Sequence, residues 1–485
     1  MTKAELIAEN KALKAQLHQL LKLINGTKSE RFTSSEADQT QGNLFDLEDA
    51  PPVNDDQADK QTVTYQRKPK SNHKGRNPIP EHLPVQEIII EPDQDTEGMI
   101  KIGEQVTETL DYTPASLVKV RYIRPRYVKQ DQQQVVIGAL PVRPIDKGIA
   151  EAGLLAHIFV SKFVDHLPFY RQQQMFKRNF DWEVSRSTIN DWLAQCCTLM
   201  KPLYDALKKQ LLQSDYLQVD ESPLKVLDRN KKGKTHKGYQ WVYHAPYMGL
   251  VLFNYRKGRG KHGPKQMLSQ YAGYLQCDGY QVYDKIGARQ NITLVGCVAH
   301  ARRKFYEAIP TDKQNSEHVL GLIQKIYALE KQIRQQDYSA RQMKKKRKKK
   351  LLPLFEEIKE YIEIKSARVL PKSPLGKAMG YYQAQYPKLI NTLCDAKLKL
   401  DNNLIENKIR PLALGRKNYL FAGSHSGAER MAMLYSFFAT CKIHQVNPRE
   451  WLGDVLKRIK DHSIQDMDQL LPNNWKPKIE EKKEA

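Results

Sequence analysis

Cysteine is missing from the first 195 residues of this chain. A four-thiolate structural zinc site in the N-terminal half is thereby excluded, since such sites are built from Cys and His. The six thiols present, Cys196, Cys197, Cys277, Cys297, Cys394 and Cys441, form no disulfide framework and suit a reducing compartment. Long apolar runs are absent too. MAMLYSFFATC is among the longest and falls well short of the ~20 residues that span a bilayer. The N-terminus is charged and amphipathic rather than basic-then-apolar, so no signal peptide is read there. These absences predict a cytoplasmic protein with no membrane association. Acid is in deficit: 78 Lys and Arg face 55 Asp and Glu, a formal charge of +23 over 485 residues. That excess points to a polyanion, with nucleic acid first, because phosphate neutralisation dominates such binding.

Several familiar motifs fail on inspection. Cys297 and His300 make a C-x-x-H half-site with no second pair nearby. GSHSG at 423–427 carries His where a nucleophile elbow needs Ser. KGRGKHGPK lacks the spacing of a phosphate-binding loop for ATP.

Taken in order, Leu6, Leu13 and Leu20 recur every seven residues, with Asn10, Leu17 and Ile24 at the companion core position, so 1–26 reads as a coiled-coil helix. Residues 27–76 are a linker too polar to fold, ending in a basic stretch whose Lys74-Gly75-Arg76 suits a DNA minor groove or simply a solvated linker. VQEIIIEP, MIKIGEQVTETLDY and SLVKVRYIRPRYVKQ make 77–140 a small β-rich domain held by its own core. Residues 141–205 are helical, with GIAEAGLLAHIFVSKFVDH as one helix and a helix–turn–helix after it. Ser185 or Ser187 caps its second helix, Ile189, Trp192 and Leu193 face inward, and Arg186, Thr188 and Asn190 face solvent where base edges would lie. Arg171, Lys177 and Arg178 add positive charge. From Ser214 the period becomes two: YLQVDESPLKVL, then a hairpin of GYQWVYHAP and GLVLFNYRK about the Pro246–Gly249 turn, a helix started by Pro264, YLQCDGY, a short helix and NITLVGCVAH. Helical patterns fill 311–395, with the basic run RQMKKKRKKK, Arg341 to Lys350, between two of them. Such a run is either a solvated face or a clamp on a DNA backbone. Helices and a polar tail close the chain over 441–485. The fold class is multidomain α+β.

The stretch KLDNNLIENKIRPLALGRKNYLFAG, Lys399 to Gly423, carries the chemistry. Asp401, Asn402 and Asn403 are N-cap residues before an amphipathic helix closed by Pro411, with Glu406 and Arg410 one turn apart as an i,i+4 pair. Asp220 and Asp278 end strand patterns far upstream. Glu221 alternates to the opposite strand face, Asp284 falls on the surface of the following helix, and Asp401 is accounted for as a cap. Two strand-end carboxylates and one on a later helix suit a pair of divalent cations.

These stretches, with VGCVAHARRKF, LPKSPLGKA and NPREWLGDVLKRI, resemble blocks of bacterial insertion-sequence transposases of the insertion sequence 66 family over nearly the whole chain. The resemblance implies a ribonuclease-H-like catalytic core over 206–310 and 396–440, a mixed sheet with its first strand beside its fourth, interrupted by the helical insertion. It implies Asp220, Asp278 and Glu406 as catalytic ligands of two Mg²⁺ or Mn²⁺ ions, Asp220 bridging. Arg410, Arg416 and Lys417, then His300, Arg302 and Arg303, become candidates for DNA phosphates. The partners implied are double-stranded DNA at element termini and target, a second copy of the chain in a homodimer or higher oligomer, and small accessory proteins of the same element. Family members often carry a four-cysteine zinc module in the β-rich region; here DQDTEG and KQDQQQ stand in its place, so no structural zinc is expected. The competing readings are a non-catalytic helix–turn–helix regulator and a nuclease or resolvase of the same fold without strand transfer.

Overall fold

The computed structural model describes residues 79–477, apart from 95, 98, 114–115, 130–134, 229–233 and 290. The heptads of 1–26, the linker with Lys74-Gly75-Arg76 and the last residues of the tail lie outside the described residues. The chain is mixed α/β, with two sheets among helices.

The first sheet has β3 (Ser116–Lys129) at its centre. The antiparallel β2 (Met99–Thr113) lies on one side; the parallel β1 (Val85–Ile89) and the antiparallel β4 (Val135–Ile137) share the other. A register shift between Lys101 and Gly103, where Gly103 has φ +153°, bends the outer end of β2. The domain was expected to hold itself by its own β core, and it does not. Leu83, Leu110 and Leu117 at its inner end join the main core, while Ile89, Ile100, Ile102 and Val106 at its outer end are exposed. The Ala152–Phe163 helix packs against β2, and among the described residues nothing covers those outer-end isoleucines.

Four helices follow: Ala152–Phe163, Phe169–Phe180, Arg186–Leu199 and Lys201–Leu211. Ser185 caps the third, its Oγ accepting from Thr188 N–H at 3.0 Å. Ile189, Trp192 and Leu193 are buried, with Trp192 stacked on Trp182. Arg186 and Asn190 are exposed, and Thr188 is half-buried against Ser185.

The second sheet has the order β7-β6-β5-β8-β9, from β5 (Tyr216–Leu227), β6 (Thr235–Ala245), β7 (Leu250–Arg256), β8 (Gly273–Gln276) and β9 (Ile292–Val295). The first of these strands in sequence therefore lies beside the fourth, and β5, β8 and β9 run parallel. The hairpin turns at Pro246–Gly249, where Gly249 takes φ +65°. Pro264 sits in the third position of its helix, His262–Met267, rather than opening it. Edge strand β7 is covered by the His425–Ile443 helix. Ser436 Oγ accepts from Phe253 N–H at 2.7 Å and Thr440 Oγ1 from Val251 N–H at 3.3 Å, so the outward amides find partners without another strand.

Helices Val298–Ala308, Lys313–Arg334, Ala340–Ser366 and Pro374–Ile390 pack about a second core containing Phe305, Ile326, Phe355 and Tyr382. The basic run does not lie between helices. It forms the opening turns of Ala340–Ser366, started by a capping box of Ser339 and Gln342. Arg347 within it is 0% exposed, its Nε 2.8 Å from Glu330 and its Nη groups donating to the carbonyls of Asp395 (2.6 Å) and Leu398 (3.1 Å).

Candidate active site

Strands β5 and β8 carry nearly the same words, YLQVD at 216–220 and YLQCD at 274–278, and they pair residue for residue. Tyr216 lies opposite Tyr274, Leu217 opposite Leu275 and Gln218 opposite Gln276. Asp220 and Asp278 each stand two residues past the last pair. The pleat turns Asp220 towards the face that Gln218 occupies, and Asp278 follows the end of β8 beside it.

That face receives the segment leading to Glu406. Gln218 Nε2 donates to Gln276 Oε1 (2.9 Å) and to the carbonyl of Asp401 (3.2 Å); Gln276 Nε2 donates to the carbonyls of Lys399 (2.9 Å) and Gly296 (3.0 Å). Both glutamines are fully buried. The helix that follows, Asn403–Tyr419, is pinned at its far end as well. Arg416 donates to the carbonyl of Pro223, and Ala422 exchanges backbone hydrogen bonds of 2.8 Å with Lys225 and Leu227. The helix thus runs along β5. Glu406 lies roughly 4.5 Å beyond its start at Asn403, at ~1.5 Å per residue. Asp220 lies roughly 7 Å beyond Gln218 at ~3.3 Å per residue, and the charge of Glu406 reaches its carboxyl.

This helix differs from expectation in three ways. Pro411 lies inside it rather than closing it. A proline in a helix interior costs ~3 kcal/mol, and burial of Ile405, Ile409 and Leu412 together with the far-end anchors offsets that. Asn402, not Asp401, occupies the N-cap position and makes no side-chain cap bond. Asp401 instead accepts from Asn403 N–H (3.2 Å) and from Tyr327 Oη (2.9 Å). Finally, Glu406 faces His300 Nε2 and Arg303 Nη2, each at 3.8 Å, in place of Arg410.

The electrostatics tie the three acids together. Burial pushes the Asp220 carboxyl well above the usual carboxylate range, and the charges of Glu221, Asp278 and Glu406 push it further; the Glu221 N–H, 2.7 Å from Oδ1, opposes them. His300 is held down by burial, with Glu406 and then Asp278 acting the other way. Among the described residues no three acidic, His or Cys side chains stand together at ligating range. Each has a partner of its own: Asp220 accepts from Glu221 N–H, Asp278 from Tyr280 N–H (2.9 Å), and Glu406 faces the Arg303 guanidinium and the His300 imidazole. The donors are hard carboxylate oxygens, and a buried acid facing others of its sign is an arrangement that Mg²⁺ or Mn²⁺ would relieve.

Glu221 turns to the opposite face, where Arg259 (Nε 2.7 Å) and Tyr283 Oη (2.9 Å) hold its carboxylate. Arg259 also lies over the Tyr280 ring, 4.0 Å from its centroid. Neither Arg259 nor the two buried glutamines was singled out from sequence. The duplicated YLQ-x-D was the available signal for the glutamines; Arg259 had none. Asp284 sits on the Val282–Gly287 helix and pairs with Lys388. Cys297 is buried as N-cap of Val298–Ala308. Arg416 is committed to Pro223, Lys417 is exposed, Arg410 is half-buried, and Arg302 lies on the Val298–Ala308 helix near Tyr327. Arg186, Thr188 and Asn190 belong to a different element, the Arg186–Leu199 helix, where Ser185, Arg186, Ser187 and Asn190 line an open cleft with Gln173.

Comparison with known proteins gives a consistent picture. Residues 147–430 match the model described as Transposase IS66 family, 436–473 its C-terminal element, and 12–88 a region described as Transposase C of IS166 homeodomain. The uncharacterized protein y4jD of Sinorhizobium fredii is 33% identical over 96% of this chain and 94% of its own length. Two further uncharacterized proteins of that organism are similar: y4qI at 32% over 84% of this chain and 79% of its own, and y4hP at 28% over 96% and 89%. With the family model covering more than half of the residues, and a relative a third identical along nearly all of them, the chain belongs to the IS66 family of transposases.

Proposed function

We propose that this chain is a DNA transposase whose core is ribonuclease-H-like and whose catalytic carboxylates are Asp220, Asp278 and Glu406. The carrying observation is that Asp220 and Asp278 each follow by two residues the last pair of adjacent parallel strands, and that both the Asp278 and the Glu406 charges act on the buried Asp220 carboxyl, Glu406 standing on a helix fastened at both ends. The strand order, first beside fourth, supports that core. Two Mg²⁺ or Mn²⁺ ions held by the three acids would activate the attacking oxygen and stabilise the leaving one. The protein's own part is to hold those acids, orient the duplex for in-line attack and supply positive charge beside it. A terminal inverted repeat is nicked by water, and the freed 3′ hydroxyl then attacks target DNA. His300 and Arg303 steady Glu406 and face the phosphate; Arg410 and Lys417 add charge along the same helix. Arg186, Thr188 and Asn190 contact the repeat, the N-terminal heptads join copies into a dimer or higher oligomer, and small accessory proteins of the element complete the assembly in the bacterial cytoplasm at the nucleoid. Among the described residues no helix is long and apolar enough to cross a membrane.

Asp278→Ala is the direct test. It is expected to abolish Mg²⁺-dependent nicking of a terminal-repeat duplex while leaving duplex binding nearly unchanged; full cleavage by the variant would refute the assignment. The runner-up is a regulator with an inert core. Wild-type protein that binds the repeat but never nicks it would establish that reading instead.

A further inference from the structure

The Ala340–Ser366 helix carries its charge the wrong way round. Its first eleven residues hold Arg341, Lys344, Lys345, Lys346, Arg347, Lys348, Lys349 and Lys350 without a single acid, and its second half holds Glu356, Glu357, Glu360 and Glu363. A helix end with free N–H groups favours negative charge, and the carbonyl end favours positive. Lys344 and Lys348, Lys345 and Lys349, and Lys346 and Lys350 also repel one another at i,i+4 spacing. Six lysines are exposed. Lys346 lies 5.8 Å from the Tyr338 ring centroid, and among the described residues none of the six makes an ion pair.

The six exposed lysines make no ion pair within the described fold, yet the fold holds the segment that carries them firmly. The capping box starts the helix, and Arg347 locks it onto Glu330 and the carbonyls of Asp395 and Leu398. That loop continues into Lys399 and Asp401, the carbonyls that Gln276 and Gln218 grip beneath the candidate active site. Resting on the transposase reading above, we infer that the Lys344–Lys350 segment is a second DNA surface. It binds the phosphate backbone of duplex DNA without regard to sequence, on a helix that Arg347 anchors to the loop leading to Glu406. The lysines are spread along about 10 Å of helix. They reach phosphates as flexible point charges, which suits position-independent contact. A membrane surface is a poorer fit, because the helix's apolar residues Leu351, Phe355 and Ile358 are buried in the second core.

The test uses the full chain and a 40-base-pair duplex lacking element ends, comparing wild type with a variant in which Lys344, Lys345, Lys346, Lys348, Lys349 and Lys350 are all Gln. The slope of log affinity against log salt is expected to fall by about 2 to 3, at about 0.9 per lost phosphate contact. Affinity should drop on the order of tenfold to a hundredfold at about 0.1 M salt. The melting temperature should stay level or rise, because the like-charge repulsion is gone. An unchanged slope overturns the inference and leaves the transposase reading intact. An equal loss of binding accompanied by a lower melting temperature overturns it too, by making the lysines structural. Wild type that binds no duplex overturns both.

Discussion

Gln218 and Gln276 meet side chain to side chain across parallel strands, Nε2 to Oε1 at 2.9 Å, and between them they hold the carbonyls of Asp401, Lys399 and Gly296. The Asn403–Tyr419 helix is therefore registered against β5 and β8 by amides buried two residues before Asp220 and Asp278. A buried pair of this kind positions well because every unmet group is costly, ~1–3 kcal/mol each.

Gln276→Leu removes the donor to Lys399 and Gly296 and the acceptor for Gln218. Duplex binding should persist, stability should fall by about 1–3 kcal/mol, and nicking should slow by on the order of tenfold to a hundredfold, the scale expected when catalytic groups are misplaced by about 1 Å. The Mg²⁺ concentration for half-maximal rate should rise, which lost stability alone does not produce. A metal titration of nicking rate checks this, and an unchanged midpoint counts against positioning.

Asp220 offers a stability readout of the same site. Its carboxyl is raised by burial and by its acidic neighbours, so the ionised form weakens the fold; that penalty is present at neutral pH and is relieved as pH falls through the folded value. Asp220→Asn should then stabilise the metal-free protein by about 1 kcal/mol while abolishing nicking. Added Mg²⁺ should raise the melting temperature of wild type and not of the variant. Equal Mg²⁺ shifts in both proteins would place the ion elsewhere.

Two histidines give the pH dependence its opposite limb. His244 is buried and held down to about 3, and His157, half-buried and stacked on Tyr112, is held down to about 4, both chiefly by burial. The unfolded chain takes up their protons near pH 6.5 and the folded chain does not, so stability is lost as pH falls below that value. From pH 7.5 to 5.5 the two together should cost about 2–3 kcal/mol, and His157→Phe should remove about half of the loss. Denaturant melts at the two pH values measure it; an unchanged loss in the variant excludes His157.

Much of this molecule was readable along the chain. Alternation and turn residues located β5 to β7, and Ser185 announced the helix it caps, because these signals depend on neighbours a few residues away. Pro411 misled for the same reason: locally it ends a helix, and only the packing of Ile405 and Leu412 with the Arg416 and Ala422 anchors carries the helix through it. The lysine run likewise reads as uniform charge, and nothing local distinguishes Arg347, which the second core takes out of water while its neighbours stay exposed. The choice of acids was written in motif and strand ending. The amides and anchors that hold the Asn403–Tyr419 helix against β5 and β8 came from contacts between segments more than a hundred residues apart, which no pattern along a single stretch can encode.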